Sequence, residues 1–160
     1  MSKLIQFQKM MARLHKENDQ DPERDWLLAH LKQTASEAAV TQAKKLTHSE
    51  LEILTQLAQA GAAVPFKQLQ AHSDLSQGML SRYIQRLAKN KLVEKFHTPE
   101  NQKAVVLRVT ALGQSVGSLH YQLHQKQQRN YEAVLANYSE AELEKISTFI
   151  DQMIEAREKL

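Results

Sequence analysis

Ser76-Gln77-Gly78-Met79-Leu80-Ser81-Arg82-Tyr83-Ile84-Gln85-Arg86-Leu87-Ala88-Lys89-Asn90 reads as one capped amphipathic helix, and the rest of the fold can be placed around it. Ser76 is a good N-cap, because a hydroxyl oxygen can accept from a backbone N–H of the first turn. Leu80, Ile84 and Leu87 recur at helical spacing and should face a core, which turns Gln77, Gly78, Ser81, Arg82, Gln85 and Lys89 outward. Gly78 is costly inside a helix and needs a reason.

Upstream, Ser73-Asp74 is a short turn, and Pro65 is well suited to open another helix running to about His72. Two helices joined by so short a turn have helix-turn-helix spacing. A further helix precedes them. Thr47-His48-Ser49-Glu50 has the spacing of a capping box, Leu51, Leu54, Leu57 and Ala58 form its buried face, and Gly61 ends it. Downstream the period changes. Leu92–Phe96 and Val105–Val109 are β-rich runs separated by a polar stretch with Pro99, Glu100 and Asn101, which predicts a hairpin, or wing.

Helical periodicity fills both ends of the chain. Leu4, Phe7, Met11 and Leu14 predict a short opening helix, broken around Asn18, Asp19, Asp21 and Pro22. A second helix is expected to continue to about Lys45, with Leu28, Leu31, Ala35, Ala38 and Gln42 on one face. After the wing, Leu112, Val116, Leu119, Leu123, Tyr131, Val134 and Tyr138 share a helical stripe. Ser139 and Glu142 form a second capping box before Leu143, Ile146, Ile150 and Met153. The expected class is therefore mainly α (α+β). It comprises N-terminal helices over 1–46, a winged helix-turn-helix with a two-stranded wing over 47–110, and C-terminal helices over 111–160. The long terminal helices, with stripes a small wing domain does not need for its own core, are expected to dimerise. The plainer alternative is that they pack only on their own chain.

Composition agrees with a helical domain. The 160 residues are 42% apolar and 24% charged, with four Gly and three Pro, too few for a turn-rich β protein. The net charge of +3 is unevenly placed: Gly61 to Thr110 carries eight Lys/Arg against three Asp/Glu, leaving the flanks net acidic. A basic middle points to a polyanion, although a solvated charged face would look the same. The absence of cysteine excludes disulfides, thiolate metal sites and a cysteine nucleophile. The first residues are too polar for a signal peptide and no apolar run is long enough for a membrane span, so a cytosolic protein is expected. Walker A, dinucleotide-binding and nucleophile-elbow patterns are missing from the sequence, so no enzyme is expected.

The outward face of the 76–90 helix has the chemistry of groove entry: small residues near its N-terminus, amide and guanidinium groups for base edges, and cations for phosphates. Gln77 can pair with adenine, Arg82 with guanine or a phosphate, and Gly78 would let backbone approach DNA. Ser76 and the first-turn N–H groups could hold a phosphate. Lys67, Ser81, Arg86, Lys89 and Lys103 complete the expected contacts, and Gln85 is read as a plain solvent-facing residue.

Leu46-Thr47, Leu75-Ser76-Gln77-Gly78-Met79-Leu80-Ser81-Arg82, Arg86-Leu87 and Leu92-Val93-Glu94-Lys95 resemble the MarR family of winged helix-turn-helix regulators. Val109-Thr110-Ala111-Leu112-Gly113 is similar to that family's Leu-Thr-x-x-Gly signature, with Val for Leu. The resemblance spans about Leu27 to Ile154. It implies a homodimer joined by its terminal helices, a pseudo-palindromic double-stranded DNA operator, repression, and release by a small-molecule effector. In the wing, Thr98-Pro99-Glu100-Asn101-Gln102-Lys103-Ala104 stands where the family commonly has Asp-Pro-x-Asp-Arg-Arg. Only Lys103 keeps a cation there, so minor-groove insertion should be weaker. Lys91 stands where a helix-ending Gly is usual, so Asn90 is expected to take the left-handed position.

His120 and His124 are four apart on a helix and could face one ligand, as in the zinc-responsive branch that the chain resembles. Glu52 replaces the histidine that completes that site, and Glu37 is the candidate for the remaining carboxylate. The expectation is no metal, since paired histidines on a Gln/His-rich helix are more often incidental. His15, His30, His48, His72 and His97 are scattered and assigned no role. Glu50 and Glu52, like Glu140, Glu142 and Glu144, are read as cap and surface charges.

Overall fold

A computed structural model describes residues 2–18 and 21–159, apart from the side chains of residues 15–18. The expected break at Asp19 and the side chain of His15 lie outside the described residues. In chain order the elements are α1 (Lys3–Asn18), α2 (Pro22–Thr34), α3 (Glu37–Ala43), α4 (His48–Ala60), β1 (Val64–Pro65) and α5 (Phe66–Ala71). There follow α6 (Gln77–Lys89), β2 (Val93–Thr98), β3 (Asn101–Val109), α7 (Ala111–Leu135) and α8 (Glu140–Glu158). Mainly α with a winged helix-turn-helix is the observed class.

Local chemistry accounts for most boundaries. Thr47 caps α4 with the reciprocal bonds of a capping box, and Gly61 ends the helix at φ 63°. Ser76 Oγ accepts from Met79 N at 3.3 Å to start α6. The single helix expected from Pro22 to Lys45 is two. Ala35 is extended, and Ser36, whose Oγ accepts from Ala39 N at 3.3 Å, opens α3 with Glu37 in its first turn. Arg24 braces the other end of α3, donating to the carbonyls of Ala43, Lys44 and Leu46 at 3.4, 3.0 and 2.9 Å.

The sheet has three strands in the order β1-β3-β2, all antiparallel. Pro65 is not the first residue of a helix: it pairs with Val106 in β1 and caps α5. A proline without an N–H is tolerated there because β1 lies at the sheet edge. The wing strands are longer than expected and close through Pro99-Glu100, with Thr98 opposite Asn101 and an irregularity between Phe96 and Thr98.

Contact density separates the chain into one unit ending at Leu123 and another starting at His124. In the first, Leu27, Leu31, Leu54, Leu57, Leu80, Ile84, Leu87, Leu92, Leu107 and Val116 are at most 1% exposed and share one core. Each such side chain contributes about 1.5–3 kcal/mol relative to exposure. Gly117 lets α7 lie close to α4, since a Cβ there would fall 2.5 Å from the Leu54 carbonyl oxygen. The Thr110–Gly113 signature has a physical basis as well. Thr110 Oγ1 donates to Lys91 O at 2.7 Å and accepts from Gly113 N at 3.1 Å, while a Cβ on Gly113 would strike the Leu92 carbonyl. In α1, Leu4, Ile5, Met10 and Leu14 are 45–63% exposed.

In the second unit, Ser139 and Glu142 form the expected capping box, which opens α8. Ile146, Phe149, Ile150, Met153 and Ile154 are exposed along it. Tyr138 lies past the end of α7 rather than on its stripe. Among the described residues, no helix is long and apolar enough to cross a membrane.

Candidate nucleic-acid interface

Three buried residues, Leu80, Ile84 and Leu87, anchor the inner face of α6. Its outer face carries Gln77, Gly78, Arg82, Gln85 and Lys89, all exposed, with Ser81 half-buried beside them. Arg82 and Lys89 have no ion-pair partner among the described residues. A Cβ on Gly78 would meet nothing within 4 Å among the described residues, so packing against them does not require glycine there. Lys67 is exposed on α5 and Lys103 on the wing, where the Lys103 N–H donates to Asn101 Oδ1 at 3.1 Å. Arg108 is committed within the sheet: it pairs with Glu94 at 2.9 Å and lies 5.3 Å from the Phe96 ring centroid.

Arg86 is placed differently from Arg82. Its Nε donates to Glu50 Oε1 at 3.1 Å. Glu50 is no surface charge, being 1% exposed, and its Oε2 accepts from Thr47 N at 2.8 Å and Thr47 Oγ1 at 3.0 Å. One carboxylate thus caps α4 and holds α6. At the far end of α6 it is Lys91, not Asn90, that takes the left-handed conformation: φ is 59° for Lys91 and −87° for Asn90. Asn90 instead continues the helical turn, its N–H donating to Arg86 O at 3.0 Å.

A second constellation lies where α4 meets α7. His48, Glu52 and His120 each offer a ligand atom, and these atoms lie within 4.8 Å of one another. His48, given no role from its position in the sequence, belongs to this group because it sits one turn before Glu52 on α4, with 3.6 Å between Nε2 and Oε1. His120 is 2% exposed and its Nδ1 is 2.8 Å from Thr55 Oγ1. His124, half-buried in the second unit, is not one of the three, and Glu37 is exposed in the first turn of α3 and not among them. A cavity of about 50 Å³ beside the group is lined by His48 and His120 together with Asp21, Glu23 and Arg24. The backbone N–H of Arg24, and then its guanidinium, hold the Asp21 carboxyl below the ordinary aspartate range, with burial opposing.

Residues 46–105 match the model of the MarR family. Two regulators of Bacillus subtilis (strain 168) align over 80 residues, half of this chain. The HTH-type transcriptional regulator PchR is 24% identical over 47% of its own length, and the uncharacterized HTH-type regulator YvnA is 25% identical over 51%. The chain thus matches about half the length of these curated relatives. Among solved structures, a double mutant of Lactococcus lactis ZitR superposes with a TM-score of 0.73 at 17% identity, covering 98% of both chains. The adhesin competence repressor AdcR of Streptococcus pyogenes superposes at 0.61 with 19% identity, covering 99% of both. These two likenesses are of fold. The family match falls on residues 46–105, which hold α4, the α5–α6 helix-turn-helix and most of the wing, so this part of the chain is similar to the MarR family.

Proposed function

We propose that the protein is a sequence-specific transcriptional regulator, a repressor, which binds a pseudo-palindromic operator as a homodimer in the cytosol. The observation that carries this reading is the outer face of α6, where uncommitted polar and cationic side chains stand on a rigid, core-anchored helix. Gln77, Ser81 and Arg82 face the base edges of a major groove, and Gly78 lets the helix backbone lie close to DNA. Ser76, Lys67 and Lys89 contact phosphates, and Lys103 adds a cation from the wing. Arg86, held by Glu50, serves mainly to fix α6 on α4. Two copies would place their α6 helices in successive major grooves, about 34–36 Å apart. The exposed apolar residues of α1 and α8 supply the surface for the second copy. Release of the operator is set by an effector.

Retention of the full chain on immobilised double-stranded DNA tests the reading, with mass measured by light scattering. Elution set steeply by salt, from a particle of twice the chain mass, is expected. A chain that passes through without salt-dependent retention would instead be a helical protein-interaction module.

A further inference from the structure

Met79 has no role yet on the helix proposed to read DNA. It is 43% exposed, and between α1 and α7 it is the one exposed large apolar side chain among the described residues. The others lie on α1, on α7 and just past its end, and on α8. Helix geometry explains why the core does not take it, since one step along the helix turns Met79 about 100° from the fully buried Leu80. The same geometry sets it next to Gly78 and one turn before Arg82, at the edge of the exposed outer face. Its backbone N–H donates to Ser76 Oγ at 3.3 Å, so it belongs to a capped and fixed first turn. Side chains on a helix lean toward its N-terminus, and in a helix-turn-helix that end reaches the base edges.

We infer that Met79 selects sequence by packing its thioether chain against the 5-methyl group of a thymine in the major groove. This rests on the DNA-binding reading and adds an apolar contact to it. Gln77, Ser81 and Arg82 offer hydrogen bonds to base edges, and none of them recognises a methyl group. An apolar side chain does, because the contact removes both apolar surfaces from water and strands no polar group. Methionine suits the task, being unbranched, polarizable and able to fill an irregular gap. The contact is continuous with the rest of the interface, since Gly78 beside it leaves open space among the described residues through which a base edge can approach. Gln77, two residues earlier, is suited to adenine, and every adenine brings a thymine methyl into the same groove.

A deoxyuridine scan tests the inference, since deoxyuridine differs from thymidine only by lacking the methyl group. The wild-type protein selects an operator from random double-stranded DNA, and each thymine of one half-site is then replaced in turn. Gel shifts at one salt concentration compare the wild type with Met79→Ala. For the wild type, one thymine should stand out, its replacement weakening binding by roughly fourfold. Met79→Ala should bind the unmodified operator about threefold to tenfold more weakly and lose the distinction between thymine and deoxyuridine at that position. Its melting temperature and the salt dependence of its binding should match the wild type, because Met79 is exposed and neutralises no phosphate. A Met79→Ala protein that keeps the wild-type response to deoxyuridine at every position would overturn the inference and leave the DNA-binding reading standing. So would a wild type indifferent to deoxyuridine throughout the half-site. A wild type that selects no operator would overturn both, which keeps the two failures apart.

Discussion

Arg86 Nε lies 3.1 Å from Glu50 Oε1, and through that bond the helix proposed to read DNA is tied to the first turn of α4. Glu50 is almost fully enclosed whereas the Arg86 side chain is 49% exposed, so the two ends are not equivalent. Removing the arginine leaves a buried carboxylate with only its Thr47 partners, which is the expensive way to break such a pair. Arg86→Ala should therefore destabilise the protein by about 1–3 kcal/mol. Arg82→Ala, at an exposed position, should fall within about 0.5 kcal/mol of wild type. Urea unfolding of the two variants side by side checks the contrast, and equal stabilities would contradict it.

Lys91 holds φ 59° between α6 and β2, a conformation that crowds the Cβ of any L-residue. Lys91→Gly should stabilise the chain by about 0.5–1 kcal/mol, the strain relieved exceeding the added freedom of the unfolded chain. A loss of stability in the same unfolding measurement would mean that the lysine side chain contributes more than its backbone costs.

Gly78 separates stability from function. None of the described residues stands within 4 Å of a Cβ there. Gly78→Ala should raise stability by up to about 0.5 kcal/mol, less than in a helix interior because Gly78 is the second residue of α6. The same variant should bind DNA more weakly, because the added methyl would stand between the helix and the groove. A variant that is both more stable and equally tight in DNA binding would show that the backbone does not approach DNA at this position.

Asp21 supplies an acid-sensitive contact at the start of α2. Its Oδ1 accepts from Arg24 N at 2.9 Å and its Oδ2 from Arg24 Nε at 3.1 Å, and its carboxyl is held below the ordinary range. A group whose pKa is lower in the folded state stabilises fully above its unfolded pKa, and that contribution is lost as pH falls through the folded value. The loss should therefore appear below about pH 4. In thermal melts, Asp21→Asn should be less stable than wild type at neutral pH, with the gap closing in acid; a gap that widens in acid would contradict the assignment.

The elements around α6 were legible because their local signals agree. Ser76 and Thr47 are good caps, Leu80, Ile84 and Leu87 keep one period, and the wing strands are rich in β-branched residues. The features that escaped depend on tertiary partners. The Ala35–Ser36 break was masked by a run of good helix formers; the Ser36 cap stabilises it, while Arg24 holds the other end of α3. Pro65 reads as a helix start until β3 is present to pair with it. Glu50 is seen in sequence as half of a capping box, and only the approach of α6 makes it a buried ion-pair partner. His48 looks isolated along the chain because Glu52 reaches it from the next turn and His120 from another helix.

If α6 reads DNA, the exposed Arg82 is the residue whose loss should show it most directly. An operator selected from random double-stranded DNA should be shifted by the wild-type protein at fixed salt. Arg82→Ala, folded and equally stable, should bind it more weakly by about 1–3 kcal/mol, a loss of roughly fivefold to more than a hundredfold. Equal binding by the two proteins at the same salt concentration would contradict the assignment of α6 to the groove.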